Sequence, residues 1–399
     1  VRLFLLRERL SSFGRQGVPP PRRVHVIGGG TMGGDIAAWC ALQGMEVSIQ
    51  DVEHGRLAKV VKRAADLFRR ELGGDRAVRE ALDRLIPDID GHGVARADLV
   101  IEAIFEDVAA KRELFREIEP RMREGAILAS NTSSIPLEEL QGALLRPECL
   151  IGLHFFNPVA KMQLVEVVRG KGTSEAAFAG GAAFVGAIRR LPLPVTSSPG
   201  FLVNRVLMPY LMEAVLMETE GLPREEIDRA ATEFGMPMGP LLLADTVGLD
   251  ICLSVSRILA DAKTNRAAER LQELVTAGRL GKKTGSGFYE YRNNKAAVAV
   301  SKRLKTPFGD LQERLILQLL NAAVACWRAK VAGDADLVDA GVVFGTGFAP
   351  FRGGPLRHAR SEGVAFLHGR LKVFEERYGE RFAPDEGWDD PFPEKPGGQ

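Results

Sequence analysis

The chain has 399 residues, which is too long for one ordinary domain and points to two or three. Hydrophobic residues make up 45% and charged residues 26%, a balance typical of globular proteins, and no stretch approaches the length of a membrane span. A formal net charge of +1 offers no field for nucleic acid, and four scattered cysteines with six histidines form no metal-ligand pattern, so no metal is expected.

Residues 1–13 read as an amphipathic helix with Val1 and Leu5 on one side and Phe13 as a candidate third member. The first residue is not a methionine, and the chain is expected to be a processed or excised piece of a longer polypeptide. Punctuation around Gly17 to Pro21 marks a linker. Cys40 and Cys252 sit in apolar surroundings, which fits a reducing, cytoplasmic compartment.

From residue 24 to 198 strands alternate with helices. The expected strands are VHVI (24–27), EVSIQ (46–50), DLVIE (98–102), AILAS (126–130), LIGLH (150–154), LVEVV (164–168) and LPLPV (191–195). Between them lie a helix from Thr31 to Leu42, a long charged helical stretch over 54–85 and a helix near 109–120. Such alternation implies a mostly parallel, doubly wound α/β sheet of Rossmann type.

Pro199-Gly200 breaks the pattern, and the rest is helical. RVLMPYLMEAV (205–215) resembles RLILQLLNAAV (314–324) at an offset of 109, and FGMPMGP (234–240) resembles FGTGFAP (344–350) at an offset of 110. One inserted residue would reconcile the two, so a duplicated all-helical domain is expected. GKKTGSGFYEY (281–291) separates the copies, and the tail EKPGGQ reads as frayed. The expected divisions are a connecting helix and linker (1–22), a dinucleotide-binding domain (23–198) and two helical domains (199–295 and 296–390).

VIGGGTMGGDIA carries Gly28, Gly30 and Gly33 in a GxGxxG frame between a strand and a helix. Gly28 permits the tight turn, Gly30 the approach of a pyrophosphate, and Gly33 close packing of helix on sheet. Asp51, ending the next strand, is placed to bind the ribose 2′-hydroxyl, which favours NAD over NADP. A structural glycine turn with a capping aspartate is the alternative.

Glu102, Ser130 and His154 fall at strand ends, the edge where open α/β sheets bind ligands. Glu166 interrupts an apolar strand, where a buried carboxylate needs a partner, and His154 can be that partner. A histidine oriented by a carboxylate makes a general base. Equally, a histidine after a strand is often structural and an isolated strand glutamate often faces water. Spacing alone leaves both readings open.

SNTSSI (130–135), GLHFFNPVAKMQLVEVV (152–168) and PGFLVNR (199–205) together resemble the L-3-hydroxyacyl-CoA dehydrogenase family, over about residues 22–385. The duplicated helical region resembles its multifunctional β-oxidation branch more narrowly, and the opening helix resembles that branch's connecting helix. The resemblance implies NAD as cofactor, an acyl-CoA substrate, and a thiolase subunit as partner of the full enzyme. It implies that His154 is the general base, Glu166 its orienting carboxylate, Ser133 a contact to substrate and nicotinamide, and Asn204 a polar group near the reacting oxygen. Glu106 and Lys111 would lie on the cofactor side, with a solvated helix lysine as the alternative for Lys111. Asn157 would fix the loop after His154. Substrate would occupy a cleft between sheet and helical domains. A monomer, through internal pairing of the helical copies, and a homodimer are both compatible. The rival functions are a dehydrogenase of free hydroxy acids and a non-catalytic NAD- or CoA-binding scaffold.

Overall fold

The structure is a computed structural model and describes residues 1–15, 17–259, 265–293, 295–297 and 308–390. The tail EKPGGQ lies outside them. The chain forms two compact units, Phe4–Phe201 and Leu202 onward together with Val1–Leu3.

The first unit is an eight-stranded sheet in the order β3-β2-β1-β4-β5-β6-β7-β8. Its strands are β1 (Arg23–Ile27), β2 (Glu46–Gln50), β3 (Leu85–Pro87), β4 (Leu99–Glu102), β5 (Ile127–Ser130), β6 (Leu150–Phe155), β7 (Leu164–Arg169) and β8 (Leu191–Thr196). Its helices are α1 (Arg2–Phe13), α2 (Thr31–Leu42), α3 (His54–Glu71), α4 (Asp75–Asp83), α5 (Val108–Ile118), α6 (Leu137–Gln141) and α7 (Glu175–Ala187). Strands β1 to β6 are parallel, with the direction of winding reversing between β1 and β4. Strand β7 runs antiparallel to β6, and β8 runs parallel to β7. Alternate residues feed two cores: Leu99 and Ile101 join one cluster, and Val100 joins another with Phe115 and Leu128. Both faces are therefore covered, which is why these strands read as continuous apolar runs.

Two sequence expectations change here. The stretch 54–85 is two helices and the start of a strand: α3 ends at Glu71, Leu72 turns extended with φ −110° and ψ 144°, and Gly74, with a φ of 92°, is the N-cap from which α4 starts. Strand β3 follows from that break. In α1 the inward residues are Leu6 and Leu10, whereas Val1 and Leu5 are exposed. The chain after α1 passes so close to α7 that a Cβ on Gly14 would lie 2.9 Å from the Gly186 Cα.

The second unit contains α8 (Val203–Thr219), α9 (Arg224–Phe234), α10 (Pro240–Val247), α11 (Leu249–Ile258), α12 (Asn265–Thr276), α13 (Phe308–Arg328), α14 (Ala335–Thr346), α15 (Pro355–Glu362) and α16 (Val364–Tyr378). A two-stranded ribbon, β9 (Tyr291–Arg292) with β10 (Lys295–Ala296), lies between α12 and α13. Pro209 sits inside α8. The order α8-α9-α10-α11 recurs as α13-α14-α15-α16. Asp228 in α9 accepts from the first amides of α10, at Leu241 and Leu242, and Asp339 in α14 does the same for α15 at Leu356 and Arg357. Tyr289 donates to Asp228, and Arg2 pairs with Asp339. Left-handed glycines end the paired helices at Gly235 and Gly347, and the next helices open at Gly239-Pro240 and Gly354-Pro355. The second copy thus has a longer connection, and a single inserted residue does not align the two. No helix among the described residues is long and apolar enough to cross a membrane.

Candidate active site

The glycine turn leaves β1 where the winding of the sheet reverses, the place where open α/β sheets receive ligands. Gly28 has a φ of +113°, and a Cβ there would meet the Ala103 carbonyl oxygen at 2.5 Å. A Cβ on Gly33 would fall 2.0 Å from the Gly28 oxygen. Gly30 differs: a Cβ there would meet nothing within 4 Å, so its open side faces free space. Gly30 is also the N-cap of α2 and supplies no side-chain cap. The first amides of α2 are therefore available to an anion, and the turn fits a dinucleotide pyrophosphate. Asp51 accepts from Gly29 N at 2.7 Å and from Glu53 N at 3.0 Å, which fixes its carboxylate beside the turn.

Next along the same edge, Lys111 is only 1% exposed and pairs with buried Glu102 at 2.6 Å and with Glu106 at 3.4 Å. The solvated-lysine reading is thus excluded. Ser130 donates to the other Glu102 oxygen. Glu106 Oε1 receives the Thr132 hydroxyl at 2.6 Å, the Ser133 amide at 2.9 Å and the Ser134 hydroxyl at 3.1 Å. Burial acts to raise the Glu106 pKa, but Lys111 and these donors outweigh it and hold the group below the ordinary carboxylate range. Ser133 itself is tied through its amide and hydroxyl to Glu106. Sequence reasoning singled out Glu102, Glu106, Lys111, Ser130 and Ser133 separately; it missed Thr132 and Ser134, and that all of them form one network. The serine- and threonine-rich run directly after a strand was the available signal.

His154 and Glu166 stand directly opposite in the β6–β7 register. His154 Nδ1 lies 2.6 Å from Glu166 Oε2, and both side chains are buried. A carboxylate can only accept, so Nδ1 carries the proton. Nε2 is left with its lone pair and has no hydrogen-bond partner among the described residues. The ring packs against Phe156 at 4.5 Å and Phe201 at 5.7 Å. Phe201, from the PGF segment, has a φ of 49°. The water-facing alternative for Glu166 is excluded by its burial. The loop after His154 is held by Asn131, whose side-chain oxygen accepts from Phe155 N at 3.0 Å, while Asn157 is exposed before a cis bond to Pro158. Asn204 occupies the first turn of α8 in the helical unit. An ordered histidine–carboxylate pair with one free imidazole nitrogen, in the same sheet as an anion-binding turn, suits proton removal coupled to transfer to a dinucleotide.

Residues 23–198 match the family model described as 3-hydroxyacyl-CoA dehydrogenase, NAD binding domain, and residues 200–291 match its C-terminal domain. The alpha subunit of the fatty acid oxidation complex from Shewanella frigidimarina is 35% identical over 96% of this chain. The chain spans 56% of that relative's length. The solved 3-hydroxybutyryl-CoA dehydrogenase from Escherichia coli is 27% identical with a TM-score of 0.80, covering 93% of this chain and 98% of that one. The (S)-3-hydroxybutyryl-CoA dehydrogenase PaaH1 from Ralstonia eutropha is 38% identical with a TM-score of 0.64, covering 68% of this chain and all of that one. With the glycine turn in the matched NAD-binding domain and the helical C-terminal domain following it, the chain belongs to the 3-hydroxyacyl-CoA dehydrogenase family.

Proposed function

We propose that this chain oxidises the C3 hydroxyl of an L-3-hydroxyacyl-CoA to the 3-oxo thioester in fatty-acid β-oxidation. The observation that carries the proposal is the buried His154–Glu166 pair with Nε2 free, on the same sheet edge as the glycine turn. Nε2 of His154 takes the hydroxyl proton as the C3 carbonyl forms. Bound NAD supplies the hydride acceptor. Glu166 stabilises the imidazolium and keeps the ring in the right tautomer. Ser133 aligns substrate and nicotinamide, and Asn204 steadies the reacting oxygen. Gly28, Gly30, Gly33 and Asp51 hold the dinucleotide, and Glu106 with Lys111 shapes the loop beside it. The acyl-CoA substrate is supported by the family description and by the names of the relatives. Within a longer fatty-acid-oxidation subunit, a thiolase is the expected partner. The helical region is read as two copies of one motif, divided near residues 295–296.

The test is NADH oxidation with acetoacetyl-CoA compared with free acetoacetate. Turnover with the thioester and none with the free acid is expected. Equal rates would favour a free-acid dehydrogenase, and NADH binding without any turnover would favour a non-catalytic scaffold. His154→Ala should lower kcat by about 10²–10⁴-fold while the Kd for NADH stays near wild type. Wild-type kcat in that variant would remove His154 as the base.

A further inference from the structure

Beside Asp51, at the end of β2, stands a charged trio completed by Glu53 and Arg56. Asp51 is pinned by the amides of Gly29 and Glu53. One turn into α3, Arg56 directs Nη1 to within 3.9 Å of Asp51 Oδ2, and its Nη2 lies 2.8 Å from Glu53 Oε1. The Arg56 and Glu53 side chains are about half exposed, at 52% and 56%. An exposed pair three residues apart on a helix contributes little to stability, so folding is a weak reason for it.

We propose that Glu53 is a cofactor-specificity residue: by engaging Arg56, it withholds that guanidinium from the place where a ribose 2′-phosphate would sit. The proposal rests on the reading of Asp51 as the ribose ligand. A hydroxyl bonded to Asp51 would sit beside the group that Arg56 already approaches. An arginine near the ribose can accommodate a 2′-phosphate through its planar fork of donors. Here two carboxylates face one guanidinium, so the local charge is negative and repels a phosphate monoester bearing about −1.5 to −2. NAD needs only the Asp51 carboxylate. Without the Glu53 charge, the trio becomes neutral and the guanidinium is free to turn to the phosphate.

The experiment measures Kd for NADH and NADPH by nucleotide fluorescence titration, without turnover, in wild type, Glu53→Ala, Arg56→Ala, the double variant and Asp51→Asn. Glu53→Ala should shift the NADPH-to-NADH affinity ratio toward NADPH by roughly fivefold or more. Arg56→Ala added to it should abolish that shift. An unchanged ratio in Glu53→Ala, or an equal shift in the double variant, overturns the proposal while leaving the role of Asp51 standing. Unchanged NADH affinity in Asp51→Asn overturns the ribose reading and the proposal with it.

Discussion

Gly30 and Gly33 lie three residues apart in one turn, yet they are glycine for opposite reasons. A methyl group at Gly33 would overlap the Gly28 carbonyl, whereas one at Gly30 would enter empty space. Gly33→Ala should therefore lower Tm by several degrees, because backbone has to move. Gly30→Ala should keep the wild-type Tm and lose NADH affinity, because the methyl occupies room the pyrophosphate needs. Thermal melts beside nucleotide titrations separate the two, and equal Tm losses would contradict the assignment. These residues were legible in the sequence because the motif is local: strand, turn and helix are contiguous. Lys111 was not legible to the same degree. Its burial depends on carboxylates from β4 and the loop after it, and a helix sequence alone does not reveal which lysine points inward.

At the scale of elements, composition identified most strands but not their breaks. LPLPV becomes β8 despite two prolines because it is an edge strand: Pro192 and Pro194 alternate, so their missing amides fall on one side, away from β7. The helix break after Glu71 and the short β3 were missed because the segments on both sides of the Gly73-Gly74 pair are rich in charged residues and read as one helical stretch. The His154–Glu166 pair was left open by spacing and is fixed by strand register, which only the antiparallel pairing of β6 with β7 supplies. Among the helices, α15 carries a pH-sensitive element. His358 packs edge-on against Phe234 at 5.1 Å, and burial with nearby Arg352 lowers its pKa to about 4, against the opposing pull of Glu362. The unfolded value is about 6.5. Between these values the unfolded chain binds the extra proton, so stability should fall as pH drops from about 6.5 to about 4. Urea midpoints at pH 7 and pH 5 should differ less in His358→Gln than in wild type. An identical slope in both would remove His358 from the acid response.

At the scale of the whole molecule, one unit carries the glycine turn, Asp51 and the His154–Glu166 pair, and the other is helical and repeats its element order. The C-terminal family match ends at residue 291, within the first set of helices and its ribbon. The repeat was visible in the sequence through α8 and α13, whose apolar faces are long enough to compare. The connection before α15 obscured the rest, because loop length drifts while the capping aspartate and the Gly-Pro start persist. The chain spans 56% of the fatty-acid-oxidation subunit it resembles, and the E. coli dehydrogenase aligns over 98% of its own length. On the function proposed above, the purified chain should oxidise NADH with acetoacetyl-CoA without a second protein. Turnover that appears only when another subunit is added would contradict it.

The one-to-one facing of His154 and Glu166 across β6 and β7 also bears on how this protein can vary over time. Side chains alternate along a strand, so gaining or losing one residue inside β7 would send Glu166 through to the other face of the sheet. Point changes on either strand are graded in effect, but a one-codon insertion or deletion there is all or none. Length variation is therefore tolerable only in the loop of residues 156–163, and lineages that keep the activity should show their indels there and never within the two strands.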